Sequence, residues 1–261
     1  MKKGKKLYEG KAKIIYATND KNLVIQYFKD DATAFNNQKK AIIEGKGVLN
    51  NRISEHILSN LSEIGIKNHL VKRINMREQL VKLVDIIPIE FVVRNIATGS
   101  LTNRLGIEEG TVLERPLIEY CLKEDKLGDP IISREHILTF NWLNVIQLDL
   151  IDRNLSRLND FLMGLFRGVG IKLVDFKVEF GLTHESEKTE IILADEISPD
   201  TCRLWDTATD KKLDKDRFRK NLGDLIPAYT EVAKRLGILH EQSNVSAVNV
   251  TKLSSVKRKK K

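Results

Sequence analysis

The chain has 261 residues, 41% of them apolar and 31% charged, so it can bury one large core or two smaller ones and is not an intrinsically disordered chain. Its formal charge is +8, but residues 241–261 carry six Lys or Arg against one Glu, which leaves a mildly basic body and no broad nucleic-acid-binding face. Cys121 and Cys202 lie far apart and outside any CxxC pattern, which argues against a zinc site or a disulfide framework and suits a reducing compartment.

The MKKGKK opening is basic, and no apolar run long enough for a signal peptide or a membrane span follows it, so a cytoplasmic location and no membrane partner are expected. Residues 7–16, LYEGKAKIIY, read as two short strands joined at Glu9-Gly10-Lys11-Ala12-Lys13. A glycine there lets backbone approach a ligand, and Lys11 and Lys13 supply charge for phosphates; a merely solvated basic turn fits the same residues. NLVIQYFKD (22–30) continues the strands, and DDATAFNNQKK (30–40) reads as a polar loop. In residues 47–65, Val48, Leu49, Ile53, Ile57, Leu61 and Ile64 recur at helical spacing, with Gly65 placed to end the helix. Residues 66–74 and 79–85 read as strands, so residues 1–85 predict a small sheet with one helix packed on it.

IIPIEFVVRN (86–95) places Ile87, Ile89, Phe91 and Val93 on one face of a strand and Glu90 and Arg94 on the other. It runs into Thr98-Gly99-Ser100 and a helical LTNRLG with Ser100 as N-cap. Free N–H groups, two hydroxyls and the Arg94 guanidinium make an anion cradle, while a plain cap beside a surface arginine suits the same residues. Residues 117–132 show no clear period, and Asp129-Pro130 marks a turn. A short helix capped by Ser133 is expected over 133–144. A long one follows on the stripe Leu148, Ile151, Leu155, Leu158, Leu162, Leu165, Phe166 and Val169, closing at Gly170.

From Lys172 the chain alternates strictly, Val174, Phe176, Val178 and Phe180 against Asp175, Lys177 and Glu179. After Gly181 the polar run THESEKTE leads to a second strand, Ile191 to Ala194, ending in Asp195-Glu196. A hairpin centred near Glu187 sets Glu179 opposite Asp195, and two carboxylates ~5 Å apart repel by roughly 3 kcal/mol at an effective dielectric near 20. Mg²⁺ is the simplest neutralising partner, and a solvated charged strand face with a slipped register is the alternative. Ile197 to Asp200 then turns the chain, which carries Arg203 and Trp205 before two closing helices at 214–221 and 225–236. The histidines at 56, 69, 136, 184 and 240 show no metal-ligand spacing.

Lys11 with Lys13, Arg94 with Ser100, and Arg203 are three anion-binding candidates beside one metal candidate, in a chain with no nucleophile motif and no GxxxxGK[ST], HRD, DFG or GxGxxG. That set suits phosphoryl transfer, where catalysis is positioning and charge neutralisation. A small-molecule phosphotransferase and a nucleic-acid binder acting through its basic tail are the competing classes.

IPIEFVVRNIATGS (87–100) and LVDFKVEFG (173–181) resemble the two signature segments of the phosphoribosylaminoimidazole-succinocarboxamide synthases, the SAICAR synthetase family of purine biosynthesis. LYEGKAKIIY, ADEISPD with RLWD, and DKDRFRKNLG are also similar to the family, so the resemblance spans residues 7–238. It implies an α+β fold: a small antiparallel β-sheet lobe like the kinase amino-terminal lobe (1–85), a larger α+β lobe (86–240) and ATP in the cleft between them; the basic tail (241–261) is expected to be disordered on its composition. It implies ATP-dependent joining of 5-aminoimidazole-4-carboxy ribonucleotide (CAIR) to L-aspartate with Mg²⁺, in a homodimer. By resemblance, Gly10, Lys11 and Lys13 cover the ATP phosphates, and Glu179 and Asp195 hold Mg²⁺ with the nucleotide. Arg94, Ser100 and Arg203 clamp the CAIR phosphate. Glu90, Asp129 and Asp175 lie near the imidazole carboxylate, and Lys123 and Lys177 offset charge on the transferring phosphoryl group. Departures from the family pattern are Asn36-Asn37 in place of Asn-Gly or Asp-Gly, a longer THESEKTE loop, Cys202 in place of a small residue, and a tail, SNVSAVNVTKLSSVKRKKK, without a family counterpart.

Overall fold

A computed structural model of the chain describes residues 2–34, 39–183 and 189–239. The expectations for Asn36-Asn37, for most of the THESEKTE loop, for His184 and His240, and for the tail at 241–261 therefore lie outside the described residues.

The first segment supplies β1 (Lys6–Glu9), β2 (Lys13–Ala17) and β3 (Leu23–Phe28), a hairpin of β4 (Asp31–Ala34) and β5 (Lys39–Ile42), α1 (Lys46–Glu63), β6 (Leu70–Arg73) and β7 (Glu78–Lys82). Five of these strands form an antiparallel sheet in the order β1-β2-β3-β7-β6. The polar loop expected at 30–40 is instead a two-stranded ladder where described, in which Ala32 and Ala34 are buried, with Ala41 across from Ala32 and Lys39 across from Ala34. α1 has no side chain of its own to cap it: its N-cap is Gly45, and the Asp30 carboxylate accepts from the Gly47 N–H at 2.9 Å. Its stripe of Leu49, Ile53, Ile57, Leu58 and Leu61 is buried, whereas Ile64 is 43% exposed.

The second segment begins with β8 (Val84–Ile96), followed by α2 (Ser100–Leu105), β9 (Val112–Leu122), a single 3-10 turn (Asp125–Leu127), β10 (Ile131–Ile132), α3 (Arg134–Thr139) and α4 (Val145–Gly168). β11 (Ile171–Thr183), β12 (Ile191–Ala194), β13 (Cys202–Asp206), α5 (Asp216–Arg219) and α6 (Leu225–Arg235) complete it. The sheet runs β10-β9-β8-β11-β12, with β13 also paired to β11. The 117–132 stretch that showed no period contains about half of β9, because Glu119 and Cys121 break the apolar pattern on one face while Ile118 and Tyr120 pack on the core from the other. CRLWD, read only as chain after a turn, is a strand. Gly99, at φ 61, is the N-cap of α2, not Ser100. Ser133 does cap α3, accepting from the His136 N–H at 3.3 Å.

α4, with its buried stripe from Leu148 to Phe166, packs beneath β11. One core cluster joins α1, α4 and α6 to Ile87, Ile89, Phe91 and Val93 of β8 and to Phe176, Val178 and Phe180 of β11. Phe91 meets Tyr120 and Phe180 edge to face at centroid distances of 5.9 and 5.4 Å. The alternation in β11 is not unbroken: an irregularity between Leu173 and Asp175 turns Val174 away from this core to join Ile96 and Trp205. The two sheets are tied directly, since the His69 N–H donates to the Leu193 carbonyl at 2.9 Å. Cys121 and Cys202 are free. Among the described residues no helix is long and apolar enough to cross a membrane.

Candidate active site

With one face of β8 and β11 committed to the core, the opposite face lines up its polar residues by register. Asp175 pairs with Arg94 on β8 and with Arg203 on β13, so the three form a row across adjacent strands. One oxygen, Asp175 Oδ2, accepts from Arg94 Nη1 at 2.9 Å and from Arg203 Nη1 at 2.7 Å. Arg94 Nε donates to Glu119 at 2.7 Å, and its Nη2 reaches the Ser100 hydroxyl at 3.1 Å. Arg203 Nε donates to Asp216 at 3.1 Å, and Arg219 binds the other Asp216 oxygen at 2.7 Å. Burial disfavours the Arg203 charge, but Asp175 and Asp216 outweigh it and raise its proton affinity. Gly99 is required here twice over: its φ of 61 favours glycine, and a Cβ would lie 2.7 Å from Arg203 Nη2.

Two rungs further along β11 the expected carboxylate pair takes a different form. Glu179 pairs with Ala194 on one side and with Glu90 on the other, so the facing acids are Glu179 and Glu90, not Glu179 and Asp195. The hairpin register differs by one residue from that of a loop centred on Glu187. A lysine supplies the neutralisation that this juxtaposition demands: Lys177 Nζ lies 2.5 Å from Glu90 and 3.9 Å from Glu179. Lys123 adds a second contact to Glu179 at 2.5 Å. Burial raises the Glu179 carboxyl, yet Lys123 and Lys177 outweigh it and hold it below the usual carboxylate range. Burial likewise opposes the Lys177 charge, and Glu90 and Glu179 reverse that effect.

The β1–β2 turn closes on this end of the face. Lys13 is ion-paired to Asp195 and lies 3.2 Å from Glu196, and Lys11 binds Asp125 in the 3-10 turn at 2.6 Å. Gly10, in the same turn, donates its N–H to the Lys13 carbonyl at 2.8 Å. Asp129 makes no ion pair among the described residues: it accepts from the Glu124 N–H at 3.1 Å, and burial, then Glu90 and Asp125, raise its carboxyl against the nearby charge of Lys11. Asp195 takes a left-handed φ of 63 just after β12. Among the described residues no three His, Cys, Asp or Glu side chains are grouped as a metal cage. Glu179 and Asp195 each hold a lysine, so they suit a hard cation only as two carboxylate donors with the remaining ligands supplied by a substrate.

A sequence model of the SAICAR synthetase family matches residues 6–236. The chain belongs to the SAICAR synthetase family. A phosphoribosylaminoimidazole-succinocarboxamide synthase from Pelagibacter ubique (strain HTCC1062) is 78% identical over 260 residues, covering 100% of both chains. That alignment includes the basic tail, so the expectation that SNVSAVNVTKLSSVKRKKK lacks a counterpart in the family is corrected. The crystal structure of the enzyme of the same name from Ehrlichia chaffeensis matches with a TM-score of 0.89 at 53% identity, covering 91% of this chain and 100% of that one. A SAICAR synthetase in complex with ADP matches with a TM-score of 0.84 at 43% identity, covering 88% of this chain and 96% of that one.

The structure brings the singled-out residues together through ion pairs and hydrogen bonds except Asp129, which hydrogen-bonds only the Glu124 backbone and meets the cluster through the fields of Glu90, Lys11 and Lys177. Sequence reasoning missed Glu119, Glu196, Asp216 and Arg219 as members of it. The alternation of Leu117, Glu119 and Cys121 with Ile118 and Tyr120 was the available signal for Glu119. Asp216 and Arg219 carry only the i, i+3 spacing of a short helix, which does not say what the pair faces.

Proposed function

We propose that the chain is an ATP-dependent carbon-nitrogen ligase that joins the carboxylate of CAIR to the amine of L-aspartate, giving SAICAR, ADP and phosphate. The observation that carries this reading, in a chain of this family, is the placement of a guanidinium cluster and a lysine-carboxylate cluster two rungs apart on one strand face. Four residues of β11 separate Asp175 from Glu179, about 13 Å at the rise of an extended strand, which is the scale of a sugar phosphate joined to a reacting base.

At the first cluster Arg94, Arg104, Arg203 and Arg219 face Glu119, Asp175 and Asp216, an excess of one positive charge before any anion arrives. Arg94, Arg203 and the Ser100 hydroxyl bind the CAIR 5′-phosphate there, with Asp175 holding both guanidiniums in register. At the second cluster the Gly10 to Lys13 turn covers the ATP phosphates, in a cleft between a kinase-like antiparallel lobe (1–85) and the larger lobe (86–240). Glu179 and Asp195 are the donors that would hold Mg²⁺ with the nucleotide, and the ion would neutralise phosphate charge. A carboxylate is a poor acylating agent. A CAIR carboxylate oxygen therefore attacks the γ-phosphorus, ADP leaves, the aspartate nitrogen attacks the resulting acyl phosphate, and phosphate leaves while the amine loses a proton. Glu90 and Asp129 lie near the reacting carboxylate, and Lys123 and Lys177 offset charge on the moving phosphoryl group, so the work is positioning and neutralisation.

A cytoplasmic homodimer is part of the same reading. The exposed Phe140, Val145 and Ile146, beside Trp142, provide apolar surface for a second copy. In a product assay, the purified chain forms SAICAR, ADP and phosphate in equal amounts only with ATP, Mg²⁺, CAIR and aspartate all present. Equal phosphate release without aspartate would identify a phosphotransferase or ATPase instead.

A further inference from the structure

Most cations around the cleft are committed to acids. Lys11 holds Asp125 at 2.6 Å, Lys46 holds Asp200 at 2.6 Å, Lys123 holds Glu179 and Lys177 holds Glu90 at 2.5 Å each, and Lys13 holds Asp195 and Glu196. Lys215 differs. Among the described residues its ammonium makes no ion pair and no hydrogen bond, although the residue is half-buried. Its backbone is fixed, with the N–H donating to the Pro199 carbonyl at 3.0 Å and the carbonyl accepting from Phe218 and Arg219 at 3.0 Å each. The charged groups in its field are Asp200, Arg219, Lys46 and Glu196. Both acids are already satisfied: Asp200 by Lys46 and by the Tyr229 hydroxyl at 2.5 Å, and Glu196 by Lys13 and by the Ser198 hydroxyl at 2.6 Å.

Position adds to this. On one side Lys215 adjoins Asp216, which grips Arg203; on the other it meets the turn that follows Asp195 and Glu196. It therefore stands between the guanidinium cluster and the lysine-carboxylate cluster. Burial lowers its proton affinity, and a carboxylate placed beside it would restore the charged form, so the site gains by receiving an anion. We propose that Lys215 anchors a carboxylate of the amino-acid substrate, L-aspartate. The assignment rests on the ligase reading and deepens it: the sugar phosphate and the nucleotide have their own cations, and the dicarboxylate needs one committed to neither.

The test uses the full chain and its Lys215→Met and Lys215→Arg variants, with steady-state kinetics and calorimetric titration of succinate into the protein with ADP and CAIR. A lost charge-assisted hydrogen bond raises the aspartate KM of Lys215→Met by about tenfold to a hundredfold. The KM values for CAIR and ATP stay near wild type, and Lys215→Arg recovers part of the loss. Succinate, which keeps both carboxylates and lacks the amine, binds wild type and not Lys215→Met. Melting of Lys215→Met at or above the wild-type temperature shows that it is folded; should it not fold, Lys215→Arg, which keeps the charge and displaces its donors, decides by the same KM split. An unchanged aspartate KM, or an equal rise for all three substrates, overturns the assignment. An active wild type with indifferent variants sinks Lys215 alone, whereas a wild type that makes no SAICAR sinks the ligase reading.

Discussion

His69 is buried within the fields of Lys13 and Glu179, and among the described residues its Nε2 has no hydrogen-bond partner. Burial, and then the charge of Lys13, push its imidazole down to about 3 from an ordinary 6.5. Below pH 6.5 the unfolded chain therefore takes up a proton that the fold refuses, and stability declines by up to ~1.4 kcal/mol per pH unit as pH falls toward 3. Asp214 acts with the opposite sign. Burial, then Asp216, push its carboxyl up to about 7, so its contribution favours the fold at acid pH and is lost as pH rises through that value. Because the two oppose each other over part of the range, His69 is best read by difference. Urea midpoints of wild type and His69→Gln, followed from about pH 7.5 to about pH 5, should diverge, with wild type losing more on acidification; parallel curves would contradict a neutral buried imidazole. Single residues were legible in the sequence where a strand period sorted them. Glu90, Arg94, Asp175, Lys177 and Glu179 share a face because alternate side chains must. The partner of Glu179 was not legible, since loop length does not set register to the residue and Asp195 leaves the strand conformation.

Helix α1 was readable from its apolar spacing, but how it is seated was not. It lacks an N-terminal side-chain cap, and the Asp30 carboxylate substitutes, held in turn by Arg77 at 2.8 and 2.7 Å. Burial disfavours the Asp30 charge, and the Arg77 and Gly47 hydrogen bonds outweigh it. Gly47 presses the helix against the end of β3: a Cβ there would lie 2.5 Å from the Phe28 carbonyl oxygen and 2.9 Å from that of Lys29. Gly47→Ala gains about 1 kcal/mol of helix propensity and loses about 1–3 kcal/mol by forcing backbone apart. The steric cost should win, lowering the melting temperature by several degrees; a variant that melts higher would show that α1 can shift freely. β9 and β13 escaped sequence reading for a related reason. Their charged residues face a polar cleft and not a core, so the apolar alternation that marks a strand is weak in both.

Over the whole molecule, the strand and helix patterns made the first sheet legible, while the larger second sheet was expected only through the family resemblance. Less legible was that α1, encoded with the small sheet, shares its core with α4, α6 and β11. The sheets are further joined through His69 and Leu193 and through the ion pairs of Lys11 with Asp125 and Lys13 with Asp195, so the β1–β2 turn is anchored to the second segment. On the ligase reading proposed above, the nucleotide and the sugar phosphate take opposite ends of a single strand face, and the two ends should respond independently to mutation. Calorimetry of CAIR and of its dephosphorylated nucleoside on wild type and Arg203→Ala tests this most directly. Wild type should prefer CAIR by at least about a hundredfold, and Arg203→Ala should erase most of that preference while binding ATP as before. A preference that survives the substitution, or an equal loss of ATP affinity, would contradict the placement of the sugar phosphate between Arg94 and Arg203.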